Sequence, residues 1–157
     1  MRKSPIPSLA FGAAILFAVP ANATHPVDTG NRHQVSAGKR VYLENCAECH
    51  GETLRGPANP AKFPKNLIPP RLDERGHGSH HSDQYMFKQI ATGTEDKKGN
   101  PVKGGMPAFG FRLHDAQIWA VISYIKSRWP VSLQRKQNAM NPGHGPENTK
   151  TGGHGSK

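Results

Sequence analysis

Cys46-Ala47-Glu48-Cys49-His50 places two thiols three positions apart, with an imidazole directly after the second. Two thiols about one helical turn apart can both reach the vinyl groups along one edge of a haem and form thioethers. The imidazole that follows is then held under the iron as an axial ligand. C-x-x-C-H is the attachment signature of c-type haem. These are the two cysteines of the 157-residue chain. Other chemistries of the same residues fit less well. A thioredoxin-like C-x-x-C follows a β-strand, whereas this one ends a helix-like segment. A zinc site needs two further ligands, for which His77, His80 and His81 are available. A bare disulfide would close a loop of only four residues.

The iron has a second axial position. Met sulfur and His nitrogen are the usual donors, and a Met–His pair raises the reduction potential. Met86, Met106, Met140 and several histidines are candidates. Met86 falls inside an amphipathic stretch, where core packing is the expected job. Met140 falls in a polar tail. Met106 follows Gly104-Gly105 and precedes Pro107, so the chain turns there and can present a thioether to the iron. His80 or His81 is the alternative donor. An iron without a strong second protein ligand is a further alternative.

These residues need elements to hold them. Val35, Gly38, Tyr42 and Cys46 share one face of a helix expected over 34–46. Gly38 within it costs up to about 1 kcal/mol relative to Ala, which points to a close backbone neighbour. Residues 51–81 carry many prolines and glycines and read as a long irregular loop. Ser82 is a good N-cap for a short helix over 83–92, with Asp83 in its first turn and Gly93 closing it. Residues 93–112 read as loop. Ile118, Val121, Ile122, Ile125 and Trp129 form an apolar stripe on a helix expected over 113–129, stopped by Pro130. The pattern predicts an all-α chain.

Met1-Arg2-Lys3, an apolar stretch to Val19, and Ala21-Asn22-Ala23 read as a secretory signal peptide over 1–23, cut after Ala23. An uncleaved membrane anchor is the alternative. Residues 24–33 read as a loose N-terminal segment, 34–130 as the folded domain, and 131–157 as a disordered tail containing His and Gly. No apolar run of about 18 residues is present, which excludes a multi-pass membrane protein. Only 34% of residues are hydrophobic, so a cofactor is a plausible staple for a small core. Cleavage would remove Arg2 and Lys3, leaving 19 basic and 11 acidic residues, a formal charge of +8. An exported chain rarely meets nucleic acid. The charge is therefore read as steering toward acidic surfaces of redox partners, with periplasmic or otherwise exported location.

The chain resembles the class I c-type cytochromes, the small monohaem type of bacterial periplasms. The resemblance is carried by Gly38-Lys39-Arg40-Val41-Tyr42, Cys46-Ala47-Glu48-Cys49-His50-Gly51, Met106-Pro107-Ala108-Phe109 and Leu113-His114-Asp115-Ala116-Gln117-Ile118-Trp119 through Tyr124-Ile125-Lys126. It covers roughly residues 34–130. It implies one covalently attached haem c in a loop-lined crevice, with His50 and Met106 as axial ligands. It implies that Gly38 and Tyr42 cross the last helix near Ile122 and Ile125. It also implies a loop proline whose neighbourhood accepts the His50 N–H; Pro57, Pro69 and Pro70 are the candidates. The family's last helix usually opens with Ser or Thr, where this chain has His114, a weaker cap.

An iron with both axial positions filled by protein exchanges electrons without readily binding substrate. The first functional expectation is therefore a one-electron carrier rather than an enzyme. A haem enzyme or gas sensor with a labile second ligand is the alternative, with a histidine of the 77–81 loop as its one candidate for acid–base work. A third possibility is a copper-binding or delivery module. It would use His77, His80 and His81 with His144 and His154 of the tail. The same loop could also be a solvated connection or a pH-sensitive docking patch.

Overall fold

The computed structural model describes residues 26–142. The expected signal peptide, and the tail histidines His144 and His154, lie outside the described residues. Five α-helices follow in order: α1 (Arg32–Asn45), α2 (Ala47–His50), α3 (Asp83–Thr92), α4 (Asp115–Ser127) and α5 (Val131–Asn138). Three short 3₁₀ turns, Pro60–Lys62, Lys65–Leu67 and His77–His80, punctuate the long connection between α2 and α3. No strand is present among the described residues; one isolated bridge pairs Glu95 with Pro101.

The frame is the crossing of α1 and α4, the most extensive contact between helices. Gly38 is where the backbones meet. A methyl there would lie 3.0 Å from the Val121 nitrogen and still closer to the Ala120 carbonyl. The crossing therefore centres on Ala120–Val121, slightly before the Ile122–Ile125 position expected. Tyr42, fully buried, packs its ring 5.3 Å from that of Tyr124. The stripe predicted for α4 is the core: Ile118, Val121, Ile122, Ile125 and Trp129 are all buried.

Local chemistry sets the helix ends. The Asn31 side chain accepts from the Gln34 N–H and starts α1, two residues earlier than the apolar pattern indicates. Ser82 caps α3 by accepting from Tyr85, as expected. At α4 the Gln117 side chain accepts from the His114 N–H at 2.9 Å, the half of a capping box that the third helical residue supplies. The His114 departure is thus partly compensated.

Two boundaries differ from expectation. The segment before α1 is not loose: Val27 is buried, and Thr29 Oγ1 donates to Gln134 Oε1 at 2.8 Å. The tail assigned from residue 131 onward begins with α5 and stays ordered through the last described residues. Pro130 ends α4 yet starts α5, because proline fits the start of a helix where its missing N–H is not needed. α5 adheres mainly through polar groups. Lys126 Nζ lies 2.7 and 2.6 Å from the two Asp83 carboxylate oxygens and 2.8 Å from Asn138 Oδ1. Gln137 Nε2 donates to Asp83 at 2.7 Å and to the His81 carbonyl at 2.9 Å. Asn141 Oδ1 accepts from the Asp83 N–H at 2.6 Å. Lys126 and Asp83 are each 1% exposed at the side chain, so this knot is interior.

Candidate haem crevice

α1 delivers Cys46 to the edge of the core, and the single turn of α2 carries Cys49 and His50. The Cys46 N–H still closes the last turn of α1 on Tyr42, and the His50 N–H bonds the Cys46 carbonyl at 2.9 Å. The thiols and the imidazole are thereby held on one short helical stretch. Tyr42 locks the end of that stretch by donating to the Gly51 carbonyl at 2.7 Å.

Cys46 and Cys49 form no disulfide. Burial pushes the Cys46 thiol up to about 11, with Cys49 adding to it, and burial also raises Cys49. A thioredoxin-like C-x-x-C follows a strand, whereas Cys46 caps the end of α1, so that reading does not fit. Among the described residues, no group of three or more His, Cys, Asp or Glu side chains could hold a metal ion. The zinc reading lacks its ligand set for the same reason.

His50 is buried, and its Nδ1 lies 2.9 Å from the Pro70 carbonyl. That carbonyl can only accept, so Nδ1 carries the proton and Nε2 keeps its lone pair. Burial pushes the imidazole down, while the Pro70 bond opposes it, so the neutral ring is favoured. The geometry selects Pro70 from the three prolines left open by the sequence. The reason is a turn: after His50 the chain folds back, and the Leu54 carbonyl accepts from Leu72 at 2.7 Å and Asp73 at 3.1 Å. This brings the 70–73 segment back over His50. Arg71 and Asp73 tighten it, with Nε donating to Oδ1 at 3.0 Å and a second bond from Nη2 to Oδ2.

Met106 stands on a segment pinned to the end of α3. The Thr94 N–H donates to the Met106 carbonyl at 2.8 Å, and Phe109 and Gly110 donate to the Ile90 and Ala91 carbonyls, each at 3.0 Å. The last carbonyls of a helix lack partners within it, and here this segment supplies them. Gly93, with φ of +74°, allows the approach: a methyl there would lie 2.5 Å from the Met106 oxygen.

These parts surround a cavity of about 580 Å³. Cys46, Cys49, His50 and Met106 all line it, as do core residues such as Ile90, Val121 and Trp129. Met86 lines it too, so both described candidates near the core reach it; Met140 does not. The Met86 sulfur lies toward Gly78, 4.0 Å from where a methyl on that residue would sit. The volume falls within the roughly 300–1,000 Å³ of ligand pockets, and more of its wall is apolar than polar. Two thiols, an imidazole with one free nitrogen, and a thioether are the donor set that a covalently bound haem requires. The residues present fit the group.

His77, His80 and His81 pack as a ring cluster; the tail histidines His144 and His154 of the copper reading lie outside the described residues. His77 stacks on His80 with centroids 5.1 Å apart and meets His81 edge-on at 4.8 Å; His81 stacks on Tyr85 at 4.0 Å. His77 and His81 also line the cavity. Burial, then the neighbouring His77 and His80, push His81 down.

The cytochrome c family model matches residues 35–129. The chain belongs to this family, and its helical crossing, C-x-x-C-H turn and loop-lined cavity define a class I c-type cytochrome. As a member of this family it carries covalently bound haem c. The chain is 34% identical over 91 residues to a cytochrome c6 of Synechococcus sp., covering 58% of this chain and 67% of that protein. It is 34% identical over 92 residues to the Cbb3-type cytochrome c oxidase subunit CcoP of Azospirillum sp., covering 59% of this chain and 28% of that one. It is 29% identical over 97 residues to the gluconate 2-dehydrogenase cytochrome c subunit of Pantoea cypripedii, covering 59% and 20%. The chain thus spans between a fifth and three tenths of the last two relatives. No solved structure matches it significantly. Among the described residues, no helix is long and apolar enough to cross a membrane.

Proposed function

We propose that this chain is an exported monohaem cytochrome that shuttles single electrons between redox proteins and is not itself an enzyme. In this reading Cys46 and Cys49 form the two thioethers, and His50 and Met106 are the axial ligands. The observation that carries it is the single cavity lined by all four side chains, with His50 Nδ1 engaged by Pro70. The haem supplies the ferrous/ferric couple. The protein's part is to keep the ligands fixed: the Pro70 carbonyl sets the tautomer and ring orientation of His50, and the backbone bonds of the 106–110 segment hold Met106. Fixed ligands need little rearrangement when the charge changes. Met86 has its sulfur toward Gly78 and serves as wall.

The loop over the cavity supports a docking role. Phe63, Leu67 and Ile68 line it, and Lys62 and Lys65 beside them are exposed. Arg112, also exposed, lines it beside Phe111, which is 95% exposed. Exposed apolar groups beside Lys62, Lys65 and Arg112 suit a partner that sets acidic groups opposite these cations, while Glu44 and Glu48 on the same cavity mark where it would need basic ones; electrostatics would set the encounter rate.

The test compares Met106→Ala with Met86→Leu in the haem-loaded protein. Met106→Ala should abolish the sulfur-to-iron charge-transfer band of the ferric form and admit cyanide. Met86→Leu should retain the band. The opposite pattern would move the axial role to Met86, and an unaltered band in both would exclude either thioether.

A further inference from the structure

We propose that Thr94 is the residue that positions Met106, and so sets how firmly the sixth coordination place stays closed to outside ligands. The inference rests on the reading of Met106 as axial ligand. Thr94 binds both polar groups of the Met106 backbone. Its N–H donates to the Met106 carbonyl at 2.8 Å, and its Oγ1 accepts from the Met106 N–H at 3.0 Å. Its own carbonyl accepts from Val102 at 2.9 Å, so one residue ties together the start and end of the turn that presents the methionine. The turn also closes on itself, with Gly105 donating to the Val102 carbonyl at 3.0 Å.

The fit is steric as well as polar. A methyl on Gly105 would lie 2.8 Å from Thr94 Cβ and 3.2 Å from its Cγ2. Threonine's branched Cβ restricts its χ1, so the hydroxyl is aimed at Met106 before any ligand binds. Serine would keep the acceptor. Valine keeps the shape and loses the acceptor, leaving the half-buried Met106 N–H unpartnered.

An outside ligand can reach the iron only when the methionine leaves, and Met106 cannot swing away with its loop without breaking the bonds to Thr94. Removing one of them should raise the population of the open loop about tenfold, equivalent to about 1.4 kcal/mol. The effect acts on ligand exchange and not on the rest of the fold.

The experiment uses the full haem-loaded chain in the ferric state, with cyanide as probe. Wild type, Met106→Ala, Thr94→Val and Thr94→Ser are compared for cyanide affinity and for the sulfur-to-iron band. Thr94→Val should bind cyanide about tenfold more tightly and show a weakened band, with an unchanged far-ultraviolet spectrum. Thr94→Ser should behave as wild type. Thr94→Val matching wild type, or Thr94→Ser matching Thr94→Val, overturns the inference while leaving the axial reading intact. A wild type with no band, or a Met106→Ala protein with wild-type cyanide affinity, ends both. If Thr94→Val fails to mature, amide exchange on wild type decides: the Met106 N–H must be protected, and exchange at the rate of a free loop would refute the bond.

Discussion

Replacing Lys126 with methionine keeps most of the side-chain volume and removes one charge from the interior. The ammonium makes three bonds of 2.6–2.8 Å, two to Asp83 and one to Asn138, with both charged side chains 1% exposed. Breaking a buried pair from one side costs about 3–5 kcal/mol, because the remaining charge is left uncompensated. Asp83 keeps its bond from Gln137 Nε2 at 2.7 Å, so about 3–4 kcal/mol is the expected loss. Against a total stability of roughly 5–15 kcal/mol, this is a large fraction, and it should lower Tm by about 15 °C. The assay is guanidinium unfolding of the haem-loaded protein, followed by both haem absorbance and circular dichroism. Asp83→Asn/Lys126→Met removes both charges and should recover at least half of the loss. A single-variant cost below about 1 kcal/mol, as for a solvated surface pair, would refute the buried knot. Strict additivity of the two single changes would refute the coupling.

Gly38→Ala should destabilise the protein by about 1–3 kcal/mol through overpacking, even though alanine gains about 1 kcal/mol in helix propensity. The clash is with the backbone of Ala120 and Val121, which cannot rotate aside. Thermal unfolding against Ser36→Ala, on the exposed side of α1, provides the comparison. Asp73 gives a pH dependence. Hydrogen bonding from the Arg71 side chain holds its carboxyl below the usual carboxylate range. A depressed folded value stabilises above the unfolded one, near pH 4, and that contribution fades as pH falls through the folded value. The stability gap between wild type and Asp73→Asn should therefore be full at pH 5–7 and shrink below pH 4. A gap constant from pH 3 to 7 would contradict it.

The crevice was more legible than its fastenings. C-x-x-C-H has one spacing and one favoured chemistry, and the turn around Met106 announced itself through Gly104-Gly105 and Pro107. α3 matches the span predicted, because Ser82 and Gly93 are strong local signals at both ends. Selecting Pro70 was beyond local reading: it depends on the Leu54 carbonyl catching Leu72 and Asp73, a pairing across eighteen positions or more. α5 was missed for a different reason. Val131-Ser-Leu-Gln-Arg-Lys-Gln-Asn has almost no apolar face, and its purchase on the domain comes from Gln137, Asn138 and Asn141 meeting a lysine and an aspartate inside the protein. Buried Lys is rare, so nothing in the stretch Tyr124-Ile125-Lys126 singled it out. Thr94 likewise looked like the residue after a helix stop, and only the fold brings its hydroxyl to Met106.

The polar knot at α5 means that the borders of homology are not the borders of the cooperative unit. A fragment trimmed to residues 35–129 would keep every haem-binding side chain proposed above. It would also lose Gln137, Asn138 and Asn141, and it would drop Thr29 together with its partner Gln134. Bulk water would then flood the space around Lys126 and Asp83, leaving a surface ion pair worth a fraction of the interior one. Fusion junctions and purification handles for this cytochrome must leave Thr29 and the stretch from Val131 to Asn141 in place.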